Sequence, residues 1–146
     1  MTYWIVLGAC AVASYTDVRD YRIPNWLTIG LAIVVLALSL RQGPVGFGVS
    51  FAIFGTVLLI GAVAFCLKML GGGDMKLAAA AAAGIGYPDF VSFLVYTLLA
   101  GGVLGIIVAA IRRRLREKIP YAIAITAGVV AIGASHTVAP LLRNIP

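Results

Sequence analysis

The chain has 146 residues, enough for one domain; 62% of them are hydrophobic, only 11% are charged, and the mean hydropathy is +1.08. A soluble domain carries about a quarter charged residues, so this chain lacks the polar surface to cover itself and is expected to use lipid as its solvent. The net charge of +6 does not point to nucleic acid: the eleven Lys and Arg residues are scattered between apolar runs, with one dense cluster, RRRLREK at 112–118, a pattern that suits cytoplasmic loops.

Six hydrophobic segments follow one another at roughly 1–16, 26–40, 47–70, 75–87, 90–111 and 119–142. They predict an all-α polytopic membrane helix bundle with about six transmembrane segments, residues 1–146 forming a single membrane-embedded domain. The first segment lacks a basic flank before it, so it is expected to stay in the mature protein rather than be cleaved as a signal peptide. Cys10 and Cys66 belong to no CxxC pair, which leaves zinc and redox chemistry without support. The second and fourth segments fall short of the roughly 20 residues a perpendicular span needs. The fourth, LAAAAAAGIG at 77–86, has almost no side-chain bulk and suits close contact with other helices at the centre of the bundle. In the last segment, His136 falls near the end opposite the acids described below, where a surface or headgroup-facing role is expected.

Orientation follows from the basic residues. With the amino terminus outside, the inner loops hold Arg19, Arg22, Lys68, Lys76, Arg112, Arg113, Arg114, Arg116 and Lys118, whereas the outer side holds Arg41 and Arg143. Nine against two predicts both termini on the non-cytoplasmic side.

The acids are Asp17, Asp20, Asp74, Asp89 and Glu117. Asp17 follows the first apolar run and Asp74 precedes the fourth, so both fall at the inner membrane edge. A carboxylate deep in a bilayer costs about 2.5–3.5 kcal/mol on insertion scales, so such residues usually have a task or a partner. Two carboxylates at one depth suggest acid–base chemistry, because like charges a few ångström apart resist ionising together and share a proton. One member can then activate a water while the other polarises a carbonyl, with no metal, cofactor or covalent intermediate needed. In GGGDMKL at 71–77, the glycines are expected to let the backbone unwind beside Asp74 and to admit a peptide closely. Composition and spacing equally allow solvated loop acids, with Asp17 paired to Arg19 or Arg22, and a Gly-rich turn between two helices. A small proton-coupled carrier using Asp17 and Asp74 is a further reading, but it favours midplane acids and an inverted repeat, and no repeat is visible.

Three stretches carry a resemblance. GGGDMKL is similar to the G-x-G-D-x-K-L motif of prepilin peptidases, the type IV leader peptidases of the GxGD membrane aspartyl protease class. DVRDYRIPN at 17–25 resembles the family's D-x6-P-[DN] element, with Pro24 seven residues after Asp17 and Asn25 next. KIPYAIAITAG at 118–128 resembles a Pro-Tyr-Gly-x-Ala stretch, with Ala122 where glycine is usual. The resemblance implies cleavage of prepilin and pseudopilin precursors after a glycine, at the cytoplasmic face of the inner membrane, with release of a short basic leader. It implies that Asp17 and Asp74 are the catalytic pair and that Gly71 and Gly73 are the motif glycines. Asp20 competes with Asp17 for the first role but lies only four residues before Pro24, so it is assigned an electrostatic tuning role. Lys76 is expected to orient or neutralise Asp74, and Asn25 to cap the second helix after Pro24. The chain resembles the short peptidase of tight-adherence (Flp-type) pilus systems, with archaeal preflagellin peptidases as the alternative. It shows no cysteine-paired methyltransferase region, so N-methylation is not expected.

Overall fold

The structure is a computed structural model that describes residues 2–20, 23–68, 70–112 and 121–142. Expectations attached to Arg22, to residues 113–120 and to Arg143 lie outside the described residues. Every regular element among the described residues is helical. In chain order they are α1 (Thr2–Asp20), α2 (Asn25–Ser39), a 3-10 turn (Leu40–Gln42), α3 (Gly43–Cys66), α4 (Gly72–Ile85), α5 (Asp89–Arg112) and α6 (Tyr121–Leu142).

The helix ends follow local chemistry. Gly43 takes the left-handed region at φ 84°, and the proline after it opens α3 with its ring already set for a helix. At the far end of α3 the Leu67 N–H donates to the Val63 carbonyl (3.0 Å) and Lys68 turns left-handed at φ 59°. The helix therefore stops at Cys66, short of the apolar run that continues to residue 70. Gly86, at φ 79°, closes α4, donating its N–H to the Ala82 carbonyl (3.0 Å). The opposite adjustment occurs in α1, which continues past the apolar run to Asp20 and so carries Asp17 on the helix rather than after it.

Among the described residues, two stretches are long and apolar enough to cross a membrane. One is Asn25–Cys66, which comprises α2, the 3-10 turn and α3 and has a mean hydropathy of 2.4; the other is Asp89–Val108 in α5, at 2.3. Large apolar side chains such as Trp4, Ile33, Leu59, Leu98 and Ile106 stand exposed on the outside. In water each would lack the roughly 1.5–3 kcal/mol that burial supplies, whereas lipid solvates them without loss. The exterior is thus that of a membrane protein.

The core is built around α4, which packs against all five other α-helices. At 14 residues it is about 21 Å long, shorter than the roughly 30 Å hydrocarbon core. Leu77 and Ala79–Ala82 are wholly buried, as the lack of bulk in that segment predicts. Val6 and Cys10 of α1, Val35 of α2, Val57 of α3, Phe93 of α5 and Val129 of α6 close around them. Among the glycines of α4 the approach is tightest at Gly84, where an added Cβ would come within 2.5 Å of a Val6 methyl and 3.0 Å of a Val35 methyl. Gly102, on the outside of α5, has open space around it.

A methyl group at Gly84 should therefore overpack the contact of α4 with α1 and α2, at a cost of roughly 1–3 kcal/mol. Gly84→Ala is expected to lower the thermal unfolding midpoint in detergent, and Gly102→Ala to leave it in place or raise it slightly; a scan of the two variants beside the wild type checks this.

Candidate active site

The last turn of α1 and the first turn of α4 lie at the same end of the bundle, where α1 packs on both α4 and α6. Asp17 and Asp74 come from these two turns. They are only 8% and 9% exposed, and they lie close enough to act on each other electrostatically. The structure thus brings together two carboxylates 57 positions apart in the chain.

Each carboxylate has a different seat. Asp17 Oδ2 accepts from the Ala122 N–H at 3.4 Å. Ala122 is the second residue of α6, so this amide is one of the N–H groups a helix leaves without an internal partner, at the positive end of its dipole. Asp74 Oδ2 accepts from the Gly71 N–H at 3.2 Å, bending back over the start of its own helix as the third residue of a capping box does. Its Oδ1 is buried and has no hydrogen-bond partner among the described residues. An unmet buried acceptor is costly, so this oxygen is where an incoming water or substrate group gains most.

The glycines serve differently from the expected unwinding. Gly71 is extended (φ −76°, ψ 149°) and precedes the helix, while Gly72 and Gly73 are already inside it. None of the three takes a positive φ. What they supply is clearance. A Cβ on Gly71 would sit 2.6 Å from Asp74 Oδ2, and one on Gly73 would sit 3.0 Å from the Ile23 Cβ. At Gly72 the nearest atom, on the Phe65 ring, is an ordinary 3.6 Å away. The requirement for two glycines around a free position is therefore steric.

Two further expectations need correction. Lys76 does not reach Asp74; its Nζ donates to Asn25 Oδ1 at 3.3 Å. Asn25 in turn is not the cap of α2. Pro24 holds that position, extended at φ −66° and ψ 130°, and its carbonyl accepts the Leu27 N–H at 3.1 Å, which makes Asn25 the first helical residue. The Asn25 amide is engaged by a lysine 51 positions away instead of by its own helix. Together with the Gly73–Ile23 contact, this bond seats the start of α4 on the turn that begins α2. Asp20 ends α1, one turn beyond Asp17, and its side chain lies outside the described residues.

At the other end of α4, about 16 Å from Asp74 along the helix by its rise per residue, Gly84 and Ile85 floor a pocket of about 710 Å³ rimmed by Tyr3, Trp4, Gln42 and His136. His136 Nε2 is 2.9 Å from Asp89 Oδ2, and both side chains are open to the surroundings. His136 is thus remote from the buried pair, as its place in the sequence indicates. Its pairing with Asp89 had no signal in the sequence. Nor did the Ala122 amide, because a backbone donor carries no side-chain signature.

An all-helical membrane protein that buries two aspartates from separate helices beside one end of a central helix is of a class that includes membrane proteases and proton carriers. The family model of the type IV leader peptidases matches residues 4–109, a span that holds both aspartates and ends before α6. The chain belongs to the type IV leader peptidase family, and membership makes it a peptidase. Comparison with curated proteins and with solved structures found no match.

The clearances around the glycines separate stability from activity. The atom that a Gly71→Ala methyl meets is the end of the movable Asp74 side chain, so the fold should survive while the carboxylate is displaced. Peptidase activity is expected to fall by roughly 100-fold, the scale of a 1 Å misplacement. Gly72→Ala, which meets only an ordinary contact, is expected to retain both fold and activity. Initial cleavage rates and unfolding midpoints of the two variants check the distinction.

Proposed function

We propose that this chain is an aspartyl endopeptidase of the membrane edge that removes the short basic leader from prepilin-type precursors. The observation that carries the reading is the convergence of Asp17 and Asp74, both buried, with one Asp74 oxygen left without a partner among the described residues. Two buried carboxylates within electrostatic reach of each other hold one proton between them more readily than two charges. The ionised member removes a proton from a water lodged between them, and the resulting hydroxide attacks the scissile carbonyl. The protonated member donates to the carbonyl oxygen as the tetrahedral intermediate forms. Collapse of the intermediate returns a proton to the leaving amine and restores the shared-proton state.

The substrates are small pilins and pseudopilins of the tight-adherence (Flp-type) kind, cleaved after the leader glycine. The enzyme acts in the inner membrane, with six spans and with Asp17 and Asp74 facing the cytoplasm. Arg19, Lys68 and Lys76 support that orientation, since they fall at the same helix ends as the two aspartates, while Arg41 falls in the turn between α2 and α3 at the other.

Co-expression with a Flp-type prepilin, followed by mass spectrometry of the product's amino terminus, tests the proposal. Cleavage after the leader glycine is expected for the wild type and for Asp20→Asn, and is expected to vanish in Asp17→Asn and Asp74→Asn at equal membrane levels. Intact precursor beside a well-inserted wild type, across several prepilins, would sink the reading and favour proton transport.

A further inference from the structure

One bond that seats Asp17 comes from α6, and at 3.4 Å it is near the outer limit of a useful hydrogen bond. A slide of a few tenths of an ångström between α1 and α6 would lose it. One turn deeper in the bundle, the same two helices are joined a second time. Thr126 is four residues after Ala122 on α6, and Ser14 is three residues before Asp17 on α1. The Thr126 hydroxyl donates across the contact to the Cys10 carbonyl at 3.0 Å, and lies 2.9 Å from the Ala122 carbonyl in its own helix. Ser14 Oγ is 2.7 Å from Thr126 Oγ1. A hydroxyl has one proton. With that of Thr126 directed at the carbonyls, Ser14 must be the donor between the two side chains.

The arrangement is a clamp. A Ser/Thr hydroxyl inside a helix commonly bonds only to its own preceding turn, as Thr28 does to the Asn25 carbonyl and Ser135 to the Ile132 carbonyl. Thr126 shares its proton between that bond and the Cys10 carbonyl of α1 and accepts from Ser14, so it ties the two helices together at the level next to the carboxylates, while at the far end of α1 the Tyr3 hydroxyl donates to the Val129 carbonyl at 3.0 Å. The own-helix partner of Thr126 is the carbonyl of Ala122, the residue whose N–H holds Asp17. The clamp and the carboxylate seat therefore share a residue, and a shift at one is transmitted through a single helical turn to the other.

We propose that Thr126, with Ser14 as its partner, is a positioning residue that holds the Ala122 amide in register with Asp17. The proposal rests on the reading of Asp17 as one of the reacting carboxylates. Neither hydroxyl touches the reacting atoms, so the effect reaches the chemical step only through the placement of Asp17.

The full chain, purified in lipid nanodiscs, is assayed against a prepilin substrate in wild-type, Thr126→Val, Thr126→Ser, Ser14→Ala and Asp17→Asn forms. Valine preserves the shape of Thr126 and removes the hydroxyl, whereas serine keeps the hydroxyl. Thr126→Val is expected to lower kcat by about tenfold, the scale of a lost alignment, with KM and the unfolding midpoint little changed. Thr126→Ser is expected to stay close to the wild type, and Ser14→Ala to fall between the two, because the bond to Cys10 survives in it. Wild-type kcat in Thr126→Val, or equal losses in the valine and serine variants, would overturn the positioning role. So would a kcat loss that tracks a large drop in unfolding midpoint. If Asp17→Asn is inactive while Thr126→Val is normal, only the positioning role falls. If Asp17→Asn still cleaves, the reading of Asp17 falls and takes the role of Thr126 with it.

Discussion

The packing of α4 is the constraint on which the remaining structure depends. A helix of 14 residues cannot present a lipid-facing surface across a whole bilayer, and its alanines have little to offer lipid. It is stable because five other helices close on it at short distance, which small residues permit. In lipid the gain comes from dispersion contacts rather than from expelled water, so closeness of approach counts for more than bulk. Gly84 against Val6 and Val35 is the tightest such contact with α1 and α2. With α4 held on all sides, the position of its first turn is settled, and so is the position of Asp74.

The site reads as a set of seats at one end of this axis. The start of α4 rests on the turn before α2, through Gly73 against Ile23 and Lys76 against Asn25. The end of α1 rests on the start of α6, through Asp17 and the Ala122 amide. These contacts join three motifs that lie far apart in the chain, and each leaves its carboxylate with a different supply of donors. Asp17 accepts from a helix amide of α6, while Asp74 accepts from the amide before its own helix and has an oxygen unmet among the described residues. That asymmetry suits a pair whose two members take opposite roles in one reaction.

The sequence makes the class of protein and the helix order plain, because hydropathy and segment length decide them locally. It also places the alanine helix centrally, since residues without bulk have no other stable use in a membrane. The acids at 17 and 74 stand out for the same reason, being rare charges at helix ends. The purpose of the neighbouring residues is not local. Gly73 is required by Ile23, which precedes α2, and Lys76 is engaged by an amide 51 positions away, so both read from sequence as accessories of Asp74. The end of α1 is not marked by hydropathy, because the apolar run stops before the helix does, and the helix, packed against α4 and α6, continues past Asp17. Ser14 and Thr126 carry no pattern at all, since a hydroxyl that clamps two helices has the composition of one that bonds its own turn.

On the proposed mechanism, Asp17 and Asp74 act as one unit. The most direct test is a thermodynamic cycle on cleavage rate, comparing Asp17→Asn, Asp74→Asn and the double variant, each correctly inserted and folded. Groups that share one chemical task are grossly non-additive, so the double variant is expected to be no slower than the more damaged single variant. Losses that multiply, so that the double variant shows the product of the two single effects, would mean that the carboxylates act independently and do not form a dyad.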